Sequence, residues 1–159
     1  GYTLFDAEGA ATKKLALIQN GELKTFLHNS ATASYFDTAT TANGTRGPRS
    51  TLGVGIHQLV IQAGNAKREE LQAGEYLEIT DLTGLHSGAN AISGNFSFGA
   101  AGFLCKDGER VQPVRQITVA GNFFEMLKQI RLIGEQQHWN WSRSCLMPSI
   151  RFSDVAISG

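Results

Sequence analysis

Two dipeptides constrain this chain more than anything else in it. Asn20-Gly21 and Asp107-Gly108 each stand between short apolar-bearing runs. A two-residue turn of type I′ needs φ > 0 at both central residues, and Asn-Gly and Asp-Gly adopt that conformation at the least steric cost. Residues 14 to 28 are therefore expected to fold back as one hairpin. Phe103–Lys106 and Glu109–Val114 should form a second. Each hairpin commits its neighbourhood to antiparallel pairing, because parallel strands need a crossover too long for these connections.

Other segments fit the same plan. His57–Gln62, Glu75–Leu82 and Asn95–Phe98 alternate apolar and polar, and so do Ser149–Phe152 and Val155–Ile157. That period of two predicts strands, with Phe96 and Phe98 on one face. Asn29 or Ser30 is placed to cap a short helix near residues 28–36. Asn65 is placed to cap another over Ala66–Ala73, stopped by Gly74. The longest helical pattern follows Asn122: Phe123, Met126, Leu127, Ile130 and Ile133 recur at helical spacing before Gly134. The spacing predicts one long helix over about 122–133. Residues 37–53 are rich in Thr, Gly, Asn, Arg and Ser and read as a long loop. The expected class is α+β, mostly antiparallel hairpins and sheet with one long helix and short ones, in a single domain.

Composition excludes more than it assigns. Lys+Arg and Asp+Glu stand at 14 each, so no basic excess points to nucleic acid. No apolar run approaches the ~18 residues of a membrane helix. The opening Gly1-Tyr2-Thr3 has neither a basic nor an apolar leader region. It does not begin with Met, so the chain is expected to be a piece of a longer cytoplasmic polypeptide. Cys105 and Cys145 lie 40 residues apart with no CxxC, which reads as two reduced, buried thiols.

Catalytic patterns are incomplete. His28, His57, His86 and His138 include no pair at helical i, i+4 spacing, so no metal-ligand set is legible. Ser97 misses the GxSxG elbow by one residue, and a pairing with His86 and Asp81 would need distant residues to converge. Gly53-Val54-Gly55 lacks the third glycine and the helix of a dinucleotide loop. The turn Thr118–Asn122 opens a helix N-terminus, for which ordinary capping by Asn122 is the simpler account. The remaining suggestion is binding. Glycines within strands let another backbone come close, and peptide capture by strand addition uses such a strand as an edge. Ser93–Gly102 is the candidate, with His86, Ser93, Gly94, Asn95, Phe96 and Ser97 as peptide-contacting residues. A buried sheet corner explains the same glycines.

Three runs carry a family resemblance. Ser87–Gly102 resembles a signature SG-x(5)-G-x-FS-x-x-A-x-G. Pro113–Leu127 resembles PV-x-x-x-T-x-AGN-x-x-x-x-L. Pro148–Phe152 with Val155–Gly159 resembles its closing strands. Together with Asp6-x-Glu8-Gly9 and Leu17–Leu23, they are similar, in order, to the C-terminal half of the TldD/PmbA family, long labelled modulators of DNA gyrase. The resemblance implies a heterodimeric zinc peptidase acting on unfolded or precursor peptides. In that family the TldD-type subunit carries HExxxH in its N-terminal half and a further Cys ligand in its C-terminal half. The PmbA-type subunit lacks the ligands and supports the active one. Ser93–Ser97 resembles the PmbA type. Cys145 departs from the TldD-type cysteine, since Leu146-Met147-Pro148 follow it, so no catalytic or metal-binding residue is carried over. The implied partners are a related TldD-type subunit or a second copy, and a peptide. No cofactor is expected in this chain, and zinc would sit in the partner subunit. A catalytic-type subunit donating Cys145 or His86 to zinc, and a standalone peptide-binding module, remain open.

Overall fold

The computed structural model describes residues 3–159. The chain divides into two compact units. One comprises the residues up to Val60 together with Trp139–Leu146, and the other comprises Ile61–His138 with Met147–Gly159.

The first unit begins with the expected hairpin, reduced to its tip. Strand β1 (Ile18–Gln19) pairs with β2 (Glu22–Leu23) across Asn20 and Gly21, at φ 53° and 79°. Helix α1 (Ser30–Tyr35) starts where the polar run predicts. Asn29 Oδ1 accepts from Thr32 N at 2.8 Å, and Thr32 Oγ1 accepts from Asn29 N at 3.1 Å, a reciprocal capping box. The stretch 37–53 is not wholly loop, since β3 (Gly44–Thr45) pairs antiparallel with β4 (Gly53–Val54). Asp6 is the polar hub of this unit. Its buried carboxylate accepts from the N–H groups of Glu8 and Ala10 and, at 2.9 Å, from Gly44. Burial pushes the Asp6 carboxyl up, but these three N–H groups and nearby His57 outweigh it and hold it below the ordinary aspartate range. The expected strand at 57–62 shortens to β5 (Leu59–Val60).

The second unit contains α2 (Arg68–Leu71), shorter than expected and beginning after Lys67 rather than Asn65. Its main body is a long antiparallel meander. Strands β6 (Glu75–Thr83), β7 (Asn95–Lys106) and β8 (Glu109–Asn122) pair in sequence, and β11 (Ala156–Ser158) closes the far side of β8. The Asp107-Gly108 turn, at φ 47° and 88°, joins β7 to β8 as the sequence predicts. Ala100, Ile117 and Val119 form the buried core, with Leu77, Phe96, Val114 and Val155 packed on it. Pro113 lies within β8 but outside the stretch that β11 covers, which is Thr118–Ala120, so its missing N–H disrupts no ladder there.

The long helix does not form. Helix α3 (Phe123–Lys128) has six residues, and β9 (Ile130–Trp139) follows at once, beside β10 (Cys145–Phe152). Ile130 and Ile133 satisfy the helical spacing, but Ile130, Leu132 and Gly134 also alternate, and β-branched residues suit a pleated sheet. Pairing with β10 decides between the two patterns. Gly134, expected as a helix stop, is instead a buried strand residue where an added Cβ would meet Leu71 Cδ1 at 3.0 Å.

Candidate functional site: an aromatic pocket at the start of β7

Ser93–Gly102 is not a free edge. On one side β7 pairs with β8 along its length, from Asn95↔Asn122 onward. On the other, β6 covers it from Gly99, and the 84–90 segment covers what precedes: Ser97 N donates to Gly88 O at 2.7 Å, and Asn90 N to Asn95 O at 2.9 Å. The glycines serve the chain's own packing. A Cβ on Gly102 would overlap the Glu78 carbonyl oxygen at a β-bulge, and one on Gly99 would overlap Thr83 Oγ1. Strand addition at β7 is therefore closed off, and any contact with a ligand must come from side chains.

The side chains offer one. Phe96 and Phe98 share a face and stack, with ring centroids 5.4 Å apart and planes 16° from parallel. The Phe96 ring lies over Gly121 on β8, where an added Cβ would come within 3.3 Å of it. Phe123 and Phe124 open α3 as an edge-to-face pair with centroids 6.0 Å apart. These four rings with Ala89, Asn90, Ala91 and Gly94 line a depression of about 180 Å³. No ionisable side chain lines it.

Asn122 holds this corner together. Its amide nitrogen donates to Ser93 O and to Asn95 Oδ1, both at 2.8 Å. Its oxygen accepts from Phe124 N at 3.0 Å and Glu125 N at 3.3 Å, capping α3. All the hydrogen-bonding capacity of one amide thus joins the approach to β7 to the helix that carries the two phenylalanines. Gly94 makes this possible. At φ 77° it is buried against the Phe124 ring, which lies 2.6 Å from where a Cβ would stand.

Gly94 and Phe96 therefore line the pocket, and Ser93 and Asn95 brace it through Asn122. Ser97 points away from the Phe96 face and is exposed. His86 sits exposed in the turn that Gly84 O closes by accepting from Gly88 N at 2.8 Å, and it does not line the pocket. No hydrogen bond joins Ser97 to His86 or Asp81 among the described residues. Phe98, Phe123 and Phe124 were missed as site residues. Two adjacent aromatics at a helix start are the signal that was available, because one helix face cannot bury both.

Ionisable groups with perturbed pKa lie elsewhere. Arg110 donates to both Glu78 carboxylate oxygens, at 2.8 and 3.1 Å, and holds that carboxyl below its usual range against the effect of burial. Burial pushes the Tyr76 hydroxyl up, and the neighbouring Cys105 adds to it. Cys105 Sγ lies 3.7 Å from Glu78 Oε2. This cluster reads as a structural ion-pair network across the hairpin. Among the described residues no three His, Cys, Asp or Glu side chains are placed to hold a metal. Cys145, the possible zinc donor, is buried at the start of β10, with its N–H on Asn140 Oδ1 at 3.1 Å.

Comparison with known proteins adds the family. The description "PmbA/TldA metallopeptidase C-terminal domain" matches residues 1–159. This chain belongs to the PmbA/TldD metallopeptidase family. The PmbA homolog of Buchnera aphidicola (Baizongia pistaciae) is 35% identical over 95% of this chain and 33% of its own length. PmbA of Escherichia coli O157:H7 is 31% identical over 95% and 32%. The crystal structure of TldE from Thermococcus kodakarensis superposes with a TM-score of 0.89 at 31% identity, covering 99% of this chain and 36% of that one. The chain thus spans about a third of the length of the relatives it matches. As in other PmbA/TldD C-terminal domains, α+β architecture with mostly antiparallel sheet is the outcome. Among the described residues no helix is long and apolar enough to cross a membrane.

Proposed function

We propose that this is the C-terminal domain of a non-catalytic, PmbA-type subunit of a two-subunit cytoplasmic zinc metallopeptidase acting on unfolded or precursor peptides. It contributes to the subunit interface, and its aromatic pocket takes an apolar side chain of the extended peptide. The observation that carries the subunit type is the ranking of relatives: 35% identity to a PmbA homolog against 26% to a TldD homolog, over 95% and 85% of the chain. The pocket role rests on chemistry. Four phenylalanine rings in a lining without a charged side chain favour burial of apolar surface, at roughly 25 cal/mol per Å². Without a nucleophile or general base in that lining, binding is what it offers. Zinc, in this reading, belongs to the partner subunit.

The full-length parent assembled with its TldD-type partner provides the test, with cleavage of an unfolded peptide as the readout. Phe124→Ser, at a half-exposed ring of the pocket wall, should raise KM severalfold while assembly is unchanged. Ser97→Lys, off the pocket, should leave KM alone. Equal kinetics for wild type and Phe124→Ser would remove the pocket from substrate binding. Stoichiometric zinc in the parent purified alone would favour the catalytic-type reading instead.

A further inference from the structure

The chain contains two Asn-Gly steps, Asn20-Gly21 and Asn43-Gly44, and its structure treats them in opposite ways. In such a step the following backbone nitrogen, once deprotonated, attacks the Asn side-chain carbon. The Cγ–Nδ2 bond breaks and ammonia leaves, giving a cyclic succinimide. Water then opens either carbonyl, to aspartate or to isoaspartate. The net change is amide plus water to acid plus ammonia, and no other reagent is needed. What the fold controls is whether the nitrogen is free to lose its proton and whether the side chain is free to approach it.

At Asn20-Gly21 both conditions are met. Asn20 and Gly21 are exposed at the tip of the β1–β2 hairpin. Two residue pairs, Ile18↔Leu23 and Gln19↔Glu22, and the Lys24 N–H on Leu17 O at 2.8 Å hold the hairpin below its tip. Neither the Asn20 side chain nor the Gly21 N–H has a hydrogen-bond partner among the described residues. At Asn43-Gly44 both are blocked. The Gly44 N–H donates to the buried carboxylate of Asp6 at 2.9 Å, and a negative charge on the acceptor opposes loss of that proton. Asn43 Nδ2 donates to Gly55 O at 3.0 Å, and Asn43 O accepts from Gly55 N at 3.0 Å. Gly44 is buried and paired with Val54.

The structure assigns Asn20 as a site of spontaneous deamidation and isoaspartate formation, and Asn43 as a protected step, with the Asp6 carboxylate as the protecting group. Isoaspartate at residue 20 inserts an extra methylene into the main chain of a two-residue turn. That turn fixes the register of the strands it joins, so the β1–β2 pairing is lost as the product accumulates. The product also carries one new negative charge on a chain whose formal charges balance.

The test is incubation of the folded protein in mildly alkaline buffer, followed by peptide mapping with mass spectrometry and enzymatic isoaspartate labelling. A urea-unfolded sample is treated in parallel. Unfolded, both steps should convert at similar rates, and faster as pH rises. Folded, Asn20 should convert at a rate within a few-fold of its unfolded rate, while Asn43 slows by at least tenfold. Equal conversion of the two in the folded protein, or protection of Asn20 to the same degree as Asn43, overturns the assignment. Asp6→Asn, which removes the charge facing Gly44 N, should speed conversion at Asn43 and not at Asn20. No selective effect there overturns the protecting role of Asp6.

Discussion

Replacing Asn122 by Ala removes four hydrogen bonds that pass through one amide: the cap contacts to Phe124 N and Glu125 N, and the donations to Ser93 O and Asn95 Oδ1. Loss of an N-cap costs about 1 kcal/mol. A neutral hydrogen bond contributes about 0.5–1.5 kcal/mol net, and these two lie near the surface, at the low end of that range. The sum is about 2–3 kcal/mol. For a chain of this size that lowers Tm by roughly 5–10 °C. Asn122→Asp separates the parts. It keeps the cap, and its charge suits a helix N-terminus, but it loses both donations and turns a carboxylate toward the Ser93 carbonyl. Its cost should be smaller, about 1–2 kcal/mol. Urea unfolding of the three proteins provides the measurement, read as a shift in midpoint at constant slope. Should Asn122→Ala fall within about 0.5 kcal/mol of wild type, the clasp carries nothing and solvent replaces it. Should Asn122→Asp match wild type, only the cap matters and the link to β7 is incidental.

Two further outcomes follow from packing and titration. Gly102→Ala puts a Cβ onto the Glu78 carbonyl oxygen, so β6 and β7 must separate at the bulge; the expected cost is about 2 kcal/mol or more by urea unfolding, and a neutral result would mean that the bulge adapts freely. The Asp6 carboxyl titrates below its unfolded value, so the stability it adds is present above the unfolded pKa and is lost as pH falls through the folded one. Unfolding midpoints measured from neutral pH down to about 3 should therefore fall less steeply for Asp6→Asn than for wild type, from a lower neutral starting point; parallel curves would show that Asp6 is not the acid-sensitive group.

The turns were legible in the sequence because their chemistry is local. Asn20-Gly21 and Asp107-Gly108 adopt φ > 0 as their chemistry favours, and Asn29 and Asn122 cap the helices they precede, whereas Asn43-Gly44 enters β3 without a positive φ. The long helix does not form because its second half, Ile130 to Gly134, fits both periods, and the neighbouring β10 decides that residues 130–139 become strand. The glycines of β7 were legible as sites of close approach, but the sequence did not say whose backbone approaches. Glu78, Thr83 and Gly88 supply that from within the chain. Half the pocket was hidden for the same reason. Phe96 and Phe98 alternate visibly, whereas Phe123 and Phe124 reach them through tertiary contacts, the Asn122 side chain on Ser93 and Asn95 and the Phe123 N–H on Gly94 O at 2.7 Å.

The measurement closest to the central claim is peptidase activity and zinc content of the full-length parent, purified alone and then with its TldD-type partner. The account predicts no stoichiometric zinc and no cleavage for the parent alone, with both appearing in the pair and with cleavage weakened by Phe124→Ser. Zinc and cleavage in the parent by itself would contradict it, and would make this chain the C-terminal domain of a catalytic subunit.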